Sequence, residues 1–149
     1  MTQSNRLEKN DADCPPERPA ITLVGNMNVG KTTLFSRLCG TDTRSINFPG
    51  TTVSISRGRI KGSCWDAIDT PGTYSIFSEN EDEIVSKEIL MSYGGEGEIV
   101  GAILVADAKN LKRSIALALQ YAEYGVPMLL DVNMTDEATS RGIVTDFTK

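Results

Sequence analysis

The chain has 149 residues, of which 40% are hydrophobic and 23% are charged, and its formal net charge at pH 7 is −5. This length and composition support one ordinary hydrophobic core and exclude a disordered chain. The acidic balance argues against a nucleic-acid partner held mainly by phosphate contacts, because such binding depends on clustered Lys and Arg side chains.

The cysteines and the apolar runs limit where the chain can reside. Cys14, Cys39 and Cys64 are odd in number and lack metal-ligand spacing, and the chain contains no histidine. We therefore expect free thiols in a reducing cytosol. The longest apolar run, residues 99–106, is far shorter than the ~20 residues that cross a bilayer. Residues 1–19 are polar and proline-containing and lack signal-peptide character, which predicts a flexible lead-in.

A phosphate-binding loop is predicted between a short β-branched strand at residues 20–24 and a helix at 33–39. In the motif G-x-x-x-x-G-K-[ST], backbone N–H groups bind phosphate oxygens, the lysine reaches the β- and γ-phosphates, and the last hydroxyl binds Mg²⁺. The alternative is a glycine-bounded turn, which the strand–loop–helix context disfavours. The predicted nucleotide-binding residues here are Gly25, Asn26, Met27, Asn28, Val29, Gly30, Lys31, Thr32 and Thr33.

Residues 41–49 have no sustained period, which predicts a loop. Alternating apolar and hydroxyl side chains then predict a strand at 52–60, followed by a turn and an antiparallel partner at 64–68. This partner leads into a D-x-x-G motif that begins at Asp69. The Asp69 carboxylate can hold Mg²⁺ through water, and the N–H of Gly72 can approach a γ-phosphate. The alternative is an ordinary Asp-x-Pro-Gly turn.

The remaining elements alternate between helices and strands. An amphipathic helix is predicted at 81–93 with a glycine-rich end at 94–97, and a continuous apolar strand at 99–106. A surface helix at 111–124 has one apolar face, formed by Leu111, Ile115, Ala118, Leu119 and Ala122. Residues 126–132 predict another buried strand. Within it Asp131 must be paired or lie at a sheet edge, because burying a lone charge is costly.

An N-x-x-D motif follows this strand, from Asn133 to Asp136. The Asp136 carboxylate can accept two hydrogen bonds from the N1–H and N2–H₂ groups of guanine, a donor pair that adenine lacks. Asn133 can either tie this loop to the phosphate loop or contact the base edge, and Met134 lies between them. Read alone, the motif is a generic strand-end turn. After the two earlier motifs, it indicates a guanine nucleotide.

Alternating strands and helices with short links predict an α/β fold with a doubly wound, mostly parallel sheet. In such sheets the ligand lies at the carboxyl ends of the strands. All three motifs follow strands directly. The order of the motifs is that of nucleoside triphosphatases of the small-GTPase type.

Residues 21–147 resemble the N-terminal G domain of the FeoB family, the membrane-bound bacterial ferrous iron transporters. The resemblance is carried by the three motifs, by residues 47–53 and by residues 107–113. The phosphate loop, residues 47–53 and the D-x-x-G motif are shared with Era-like and tRNA-modifying GTPases. The Asn-Met-Thr-Asp and Asp-Ala-Lys-Asn-Leu motifs are more specific to the FeoB family. The resemblance implies a P-loop NTPase fold and a GTP-hydrolysing switch domain that regulates iron uptake, with GTP or GDP, Mg²⁺ and K⁺ as ligands.

The resemblance also implies residue roles. Thr52 would be the switch I ligand of Mg²⁺, beside Thr32 and Asp69, with the adjacent Thr51 as the alternative. Asn28 would help to hold K⁺, unless it only satisfies backbone groups of its own loop. A threonine, Thr73, stands where many small GTPases have a water-orienting glutamine, so slow intrinsic hydrolysis is expected. The implied catalytic residues are Lys31, Thr52 and Gly72.

The family's further parts define the expected partners. They are the helical domain and the membrane transport domain of the same protein, at the cytosolic face of the inner membrane, with a possible homo-oligomer and no nucleic acid. Because the chain stops at Lys149, just after Thr145-Asp146 offers a helix N-cap, we expect a G domain at 20–149 that is truncated and incomplete at the C-terminal edge of its sheet.

Switch I is expected at about residues 41–52 and switch II at about 69–86. Three hypotheses remain open at this point. The first is a GTP-hydrolysing switch. The second is a nucleotide-sensing regulatory or interaction module, or another Era-like GTPase, with little turnover. The third is a nucleotide-incompetent fragment that exposes the strand edge at 128–132.

Overall fold

The structure is a computed structural model that describes residues 14–75, 80–92, 99–144 and 146. Within these residues, one six-stranded sheet carries helices on both faces. The strands are β1 (Ala20–Val24), β2 (Thr43–Asn47), β3 (Ser54–Arg59), β4 (Asp66–Asp69), β5 (Ile99–Asp107) and β6 (Met128–Asn133). The helices are α1 (Lys31–Cys39), α2 (Glu81–Met91), α3 (Leu111–Glu123), which a 3₁₀ turn (Ala108–Asn110) precedes, and α4 (Thr135–Ser140).

The strand order is β2-β3-β4-β1-β5-β6. β1 is parallel to both β4 and β5, and β6 is parallel to β5, whereas β2, β3 and β4 form an antiparallel meander. The carboxyl ends of β1, β4, β5 and β6 therefore meet at one edge of the sheet. The three predicted motifs leave from this edge, as the doubly wound topology requires.

Side chains alternate between the two faces of each strand and build a core on each side. On one face, Leu23 and Ala67 pack against Phe35 and Cys39 of α1. On the other face, α2 and α3 cover the sheet, and Tyr121 of α3 is completely buried. Burial of these apolar groups is the main favourable contribution to the fold.

The prediction of a loop at residues 41–49 was wrong, because Thr43–Asn47 form the edge strand β2. All five residues are exposed, so they carry no alternation of apolar and polar side chains. Their conformation is fixed by backbone pairing with β3, for example Arg44 with Arg57 and Ile46 with Ile55. A strand held only by its backbone is invisible to a hydrophobic-pattern argument.

The predicted apolar face of α3 was partly wrong, although Leu111 and Ala118 of that face do pack against the core. The buried residues are Ser114, Leu117 and Tyr121, whereas Ile115 and Leu119 are 46% and 62% exposed. The sequence of α3 contains two overlapping sets of side chains at helical spacing, and either set could have faced the sheet. Contact with the sheet selects the set that contains a small serine and a large tyrosine, which a count of apolar residues does not recognise.

β6 was predicted to be buried, but Leu129 and Leu130 are 60% and 46% exposed. The strand is an edge of the sheet among the described residues. Asp131 lies half-buried within it, so the edge-strand alternative for this residue is confirmed. Tyr93, the glycine-rich stretch at 94–97 and Thr145, all used in the sequence predictions, lie outside the described residues.

The longest described helix, α3, has 13 residues. Across the described ranges, no helix combines the length and the apolar character that crossing a bilayer requires.

The expectation of three free thiols was wrong, because Cys14 and Cys64 form a disulfide with their Cα atoms 5.3 Å apart. The pairing spans 50 positions of sequence, so spacing gave no signal for it. Tertiary structure brings the two residues together, since the Asp66 N–H donates to the carbonyl of Pro19 and places the lead-in beside the start of β4. Residues 14–19 are thereby held to the β3–β4 turn. Cys39 is free and buried.

A thiol titration tests this arrangement. Burial, followed by the nearby Asp66 carboxylate, raises the pKa of the Cys39 thiol to about 11, so the reactive thiolate is scarce at neutral pH. We expect negligible iodoacetamide labelling of the native unreduced protein. Denaturation without reductant should expose one thiol, that of Cys39, and reduction should then expose all three.

The matched control is Cys39→Ser, which should show no label after denaturation until reductant is added. Uptake of three labels by the denatured, unreduced wild-type protein would exclude the Cys14–Cys64 bond.

Candidate functional site

The phosphate-binding loop joins the end of β1 to the start of α1, as predicted. Gly25 and Gly30 have positive φ angles of 155° and 92°. A Cβ atom on Gly25 would meet the carbonyl oxygen of Val105 at 2.5 Å, and one on Gly30 would overlap the side-chain amide of Asn133. Asn28 adopts the left-handed conformation with φ 61°, which asparagine tolerates better than most residues. The loop therefore requires glycine at positions 25 and 30, and at position 28 a residue that tolerates the left-handed conformation.

A buried ion pair joins the phosphate loop to the D-x-x-G motif. The Lys31 Nζ atom lies 3.2 Å from Asp69 Oδ1, and the Thr32 hydroxyl donates to Asp69 Oδ2 at 2.7 Å. The Lys31 and Asp69 side chains are each only 9% exposed. One carboxylate thus brings together a lysine ammonium, a group that can bind phosphate, and a hydroxyl, a group that can bind a hard cation.

This cluster borders a cavity of about 860 Å³. Thr52 and Gly72 also line it, so residues from the phosphate loop, switch I and switch II face one space. A second cavity of about 540 Å³ shares Lys31, Thr32 and Gly72 with the first. It extends to Met134 of the N-x-x-D motif. The two cavities form a path from the predicted γ-phosphate position toward the predicted base position.

The two adjacent threonines of switch I have different environments. The Thr51 hydroxyl donates to the carbonyl of Phe48 at 3.2 Å and accepts from the Val53 N–H at 3.1 Å, which closes a local turn. The Thr52 hydroxyl lies at the cavity and donates to Glu81 Oε2 at 2.6 Å. This geometry favours Thr52 over Thr51 as the residue that reaches a metal.

Sequence reasoning missed Glu81 and Glu83, which also line the larger cavity. Glu83 is only 6% exposed; its Oε1 accepts from the Tyr74 N–H at 3.4 Å, and its Oε2 has no partner among the described residues. Both residues belong to the acidic first turn of α2. Acidic residues are common there because they interact favourably with the helix dipole, so their position in the sequence gave no distinct signal of a site.

The N-x-x-D loop is tied to the phosphate loop. The Asn133 side-chain amide donates to the carbonyl of Val29 at 2.9 Å, which confirms the first of the two roles considered for this residue. A second set of contacts involves Lys109, whose Nζ atom lies 2.8 Å from Glu137 and 3.3 Å from Asp107. The hydrogen bond to Glu137 is the main cause that raises the pKa of Lys109. Lys109 therefore links the end of β5 to α4.

The structure brings most predicted site residues together. Those that line one or both cavities are Asn26, Met27, Asn28, Gly30, Lys31, Thr32, Thr33, Thr52, Asp69, Gly72 and Met134. The others lie close by. Gly25 packs against Val105, and Val29 is bonded to Asn133. Thr51 closes the switch I turn, and Asp136 is exposed at the start of α4.

Comparison with known proteins identifies the family. Residues 19–149 match the sequence profile FeoB_N, described as ferrous iron transport protein B. The chain belongs to the FeoB family. The match covers the sheet, all three motifs and the helices described above, so the family resemblance is confirmed.

Curated FeoB proteins are similar in sequence. The Fe(2+) transporter FeoB of Staphylococcus aureus strain N315 is 38% identical over 127 residues, which are 85% of this chain and 18% of that protein. The Escherichia coli K12 FeoB is 37% identical over 125 residues, covering 83% of this chain and 16% of that protein. The chain thus spans less than a fifth of the length of these relatives.

Solved FeoB domains have the same fold. A GDP-bound variant of the S. thermophilus NFeoB domain is 32% identical with a TM-score of 0.79, over 86% of this chain and 49% of that one. The G domain of the T. maritima FeoB iron transporter is 34% identical with a TM-score of 0.72, over 83% and 76%. The α/β P-loop NTPase fold is confirmed. Among the GTPase families considered, these comparisons favour the FeoB G domain over other Era-like proteins.

A pair of glycine substitutions tests the packing of Asn133 against the phosphate loop. Gly30 and Gly62 both have left-handed φ angles, but only Gly30 has a neighbour that an added Cβ would overlap. Gly62→Ala should lower the free energy of unfolding by about 1 kcal/mol through backbone strain alone. Gly30→Ala should lower it by about 1–3 kcal/mol more, since small-to-large packing errors have that magnitude.

Urea unfolding measures both losses, and in an Asn133→Ala background, which itself loses the bond to Val29, Gly30→Ala should cost no more than Gly62→Ala. Equal losses for the two single variants would show that Asn133 does not lie against the loop.

Proposed function

We propose that this domain binds GTP with Mg²⁺, hydrolyses it to GDP and phosphate, and acts as a switch that regulates Fe²⁺ uptake in a longer FeoB protein. The observation that carries the proposal is the Asp69 carboxylate shared by Lys31 and Thr32. It joins the phosphate loop to the segment that carries Gly72. A merely structural turn needs neither the buried lysine nor the cavity in front of it.

The residues present fit a magnesium nucleotide. The Lys31 ammonium would turn from Asp69 to the β- and γ-phosphates, while the N-terminus of α1 supplies N–H donors to the phosphate oxygens. The hydroxyls of Thr32 and Thr52 and the Asp69 carboxylate, acting through water, offer the oxygen ligands that Mg²⁺ prefers. When bound, Mg²⁺ neutralises charge on the transferring phosphoryl group.

The contact between Thr52 and Glu81 supports a switch. To reach Mg²⁺, the Thr52 hydroxyl must leave the Glu81 carboxylate, to which it now donates at 2.6 Å. Since Glu81 belongs to α2, this exchange would couple switch I, at 41–52, to switch II, at 69–86. The γ-phosphate would then order both segments together, and its loss would release them.

Guanine recognition is assigned to Asp136. Its side chain is exposed and makes no hydrogen bond or ion pair with the described residues, so its carboxylate is available to a base. Asn133 holds the loop through Val29, and Met134 lines the cavity that leads there. Relatives with this fold include a GDP-bound NFeoB domain, which supports the same base for this chain.

Potassium is assigned to Asn28. Its exposed side chain borders the phosphate cavity and makes no hydrogen bond with the described residues. This disfavours the alternative in which Asn28 only satisfies backbone groups. A side-chain oxygen at this point could share K⁺ with the phosphates and so stabilise the negative charge on them.

Slow hydrolysis is expected because no glutamine orients the attacking water. Thr73 stands in that position and is only 1% exposed, so its hydroxyl does not reach the phosphate cavity. The same observation favours a second candidate function, a GTP sensor with negligible turnover.

The partners we propose are the helical and membrane domains of the longer protein, at the cytosolic face of the membrane, and a second copy of the chain.

Phosphate release separates the two candidates. We expect slow release from GTP by the wild-type domain, faster in K⁺ than in Na⁺ at equal ionic strength. Asn28→Ala should remove the difference between the two ions. Lys31→Ala should weaken nucleotide affinity at least about tenfold, because a charge-assisted contact to phosphate is lost.

Tight GTP binding with no phosphate release over hours would favour the sensor. Equal stimulation of wild type and Asn28→Ala by K⁺ would remove the assignment of Asn28.

Base specificity is tested at Asp136. Asp136→Asn replaces an acceptor with an amide that can complement xanthine, so affinity should fall for GDP and rise for xanthosine diphosphate. Each change should be about tenfold or more, since a site built for one hydrogen-bonding pattern strongly rejects another. Fluorescence titration with labelled nucleotides measures both. Glu123→Gln, the same carboxylate-to-amide change at an exposed residue at the end of α3, is the control and should keep the preference for guanine.

A further inference from the structure

Asn26, the second residue of the phosphate loop, has its side chain directed into the protein. It is 5% exposed, and its Nδ2 atom donates to the carbonyl of Thr73 at 2.9 Å. Its Oδ1 atom accepts from the Ser114 hydroxyl of α3 at 3.4 Å. Both ends of the amide are therefore used by the protein, so the sequence prediction that placed Asn26 among the nucleotide contacts applies only to its backbone.

A second bond fastens the same two segments. The Thr73 N–H donates to the carbonyl of Gly25 at 3.0 Å. Together with the Asn26 bond, it holds the peptide groups on both sides of the Thr73 Cα atom. Gly72, the residue before, lies so close to Met27 that an added Cβ would be 3.0 Å from the Met27 Cα atom. The segment after the D-x-x-G motif is thus attached to the phosphate loop through two backbone groups and one buried side chain.

We propose that Asn26 is a positioning residue that holds Gly72 against the phosphate loop, where its N–H receives the γ-phosphate. The inference rests on the proposed hydrolysis of GTP and extends it to a side chain that is directed into the protein and bonded to Thr73. Preorganised backbone donors stabilise a transition state without reorganising at the moment of reaction. Loss of the Asn26 bond therefore lowers kcat and leaves nucleotide affinity intact.

The competing explanation is that Asn26 only fills space and satisfies buried polar groups. That role would affect the stability of the whole domain, and GDP affinity would fall in parallel with kcat. The Ser114 contact allows a graded comparison, because 3.4 Å is long for a hydrogen bond between oxygen atoms. Ser114→Ala should consequently have a much smaller effect than the loss of Asn26.

The first experiment measures hydrogen exchange in the nucleotide-free domain, so it does not depend on catalysis. In Asn26→Ala, exchange of the Thr73 amide should become at least about tenfold faster, since loss of the Asn26 bond frees the next peptide group, which carries the Thr73 carbonyl, and so loosens the adjoining Thr73 N–H bond to Gly25. The Leu34 amide, which donates to the carbonyl of Gly30 within the start of α1, reports on the rest of the loop and should not change. Acceleration at both amides would overturn the proposal, because it would indicate general loosening.

The second experiment measures turnover and affinity together. Asn26→Ala should lower kcat about tenfold, with the KM for GTP and the Kd for GDP within about twofold of wild type. Ser114→Ala should lower kcat about twofold at most. Asn110→Ala removes an exposed side chain at the start of α3 that makes no capping hydrogen bond, and it should match wild type in every measurement.

Asn26→Ser is the second variant, for the case that Asn26→Ala does not fold. Serine keeps a polar side chain at this position but is too short to reach Thr73. An unchanged kcat in either folded variant would overturn the role of Asn26 while leaving the proposed function in place. Absence of turnover in the wild-type domain would instead reject the proposed function, and the exchange experiment would still decide whether Asn26 fixes Thr73.

Discussion

The Asp69 carboxylate is the interaction on which the site depends. It ends β4, and it holds Lys31 and Thr32 at the start of α1. A buried lysine is stable only when it is paired, so this contact fixes the loop in the absence of phosphate. The same three side chains are those to which we assign the phosphates and Mg²⁺ of the nucleotide. In the function we propose, nucleotide binding exchanges one set of electrostatic partners for another without rebuilding the loop.

The parallel arrangement of the central strands makes this contact possible. Because β1 and β4 are adjacent and parallel, their carboxyl ends place the phosphate loop beside the D-x-x-G segment. β5 and β6 extend the same edge, and Asn133 at the end of β6 returns to the carbonyl of Val29. Asn26 adds an internal link from the loop to Thr73. Two amide side chains thus hold the phosphate loop: Asn26 links it to the segment after β4, and Asn133 links it to the end of β6.

Much of the fold and site could be predicted because local rules decide them. Gly25 and Gly30 are required by backbone geometry, and continuous apolar strands such as β5 are recognised by their pattern. Predictions failed where tertiary contacts decide between equivalent local choices. β2 has no buried side chain, α3 offered two apolar stripes, and Leu129 and Leu130 of β6 are exposed because of their position in the sheet, a property that no local pattern encodes.

The sequence by itself determined the order of motifs, the residue types expected to bind phosphate and the family, because these are local and depend on a few side chains at fixed spacing. Only the tertiary structure decided which groups meet. It paired Cys14 with Cys64, gave Thr51 and Thr52 different hydrogen-bond partners, placed Glu81 and Glu83 at the cavity, and turned Asn26 inward. The physical reason is that these contacts join residues far apart in the chain or depend on side-chain direction, which the packing of the sheet and helices fixes.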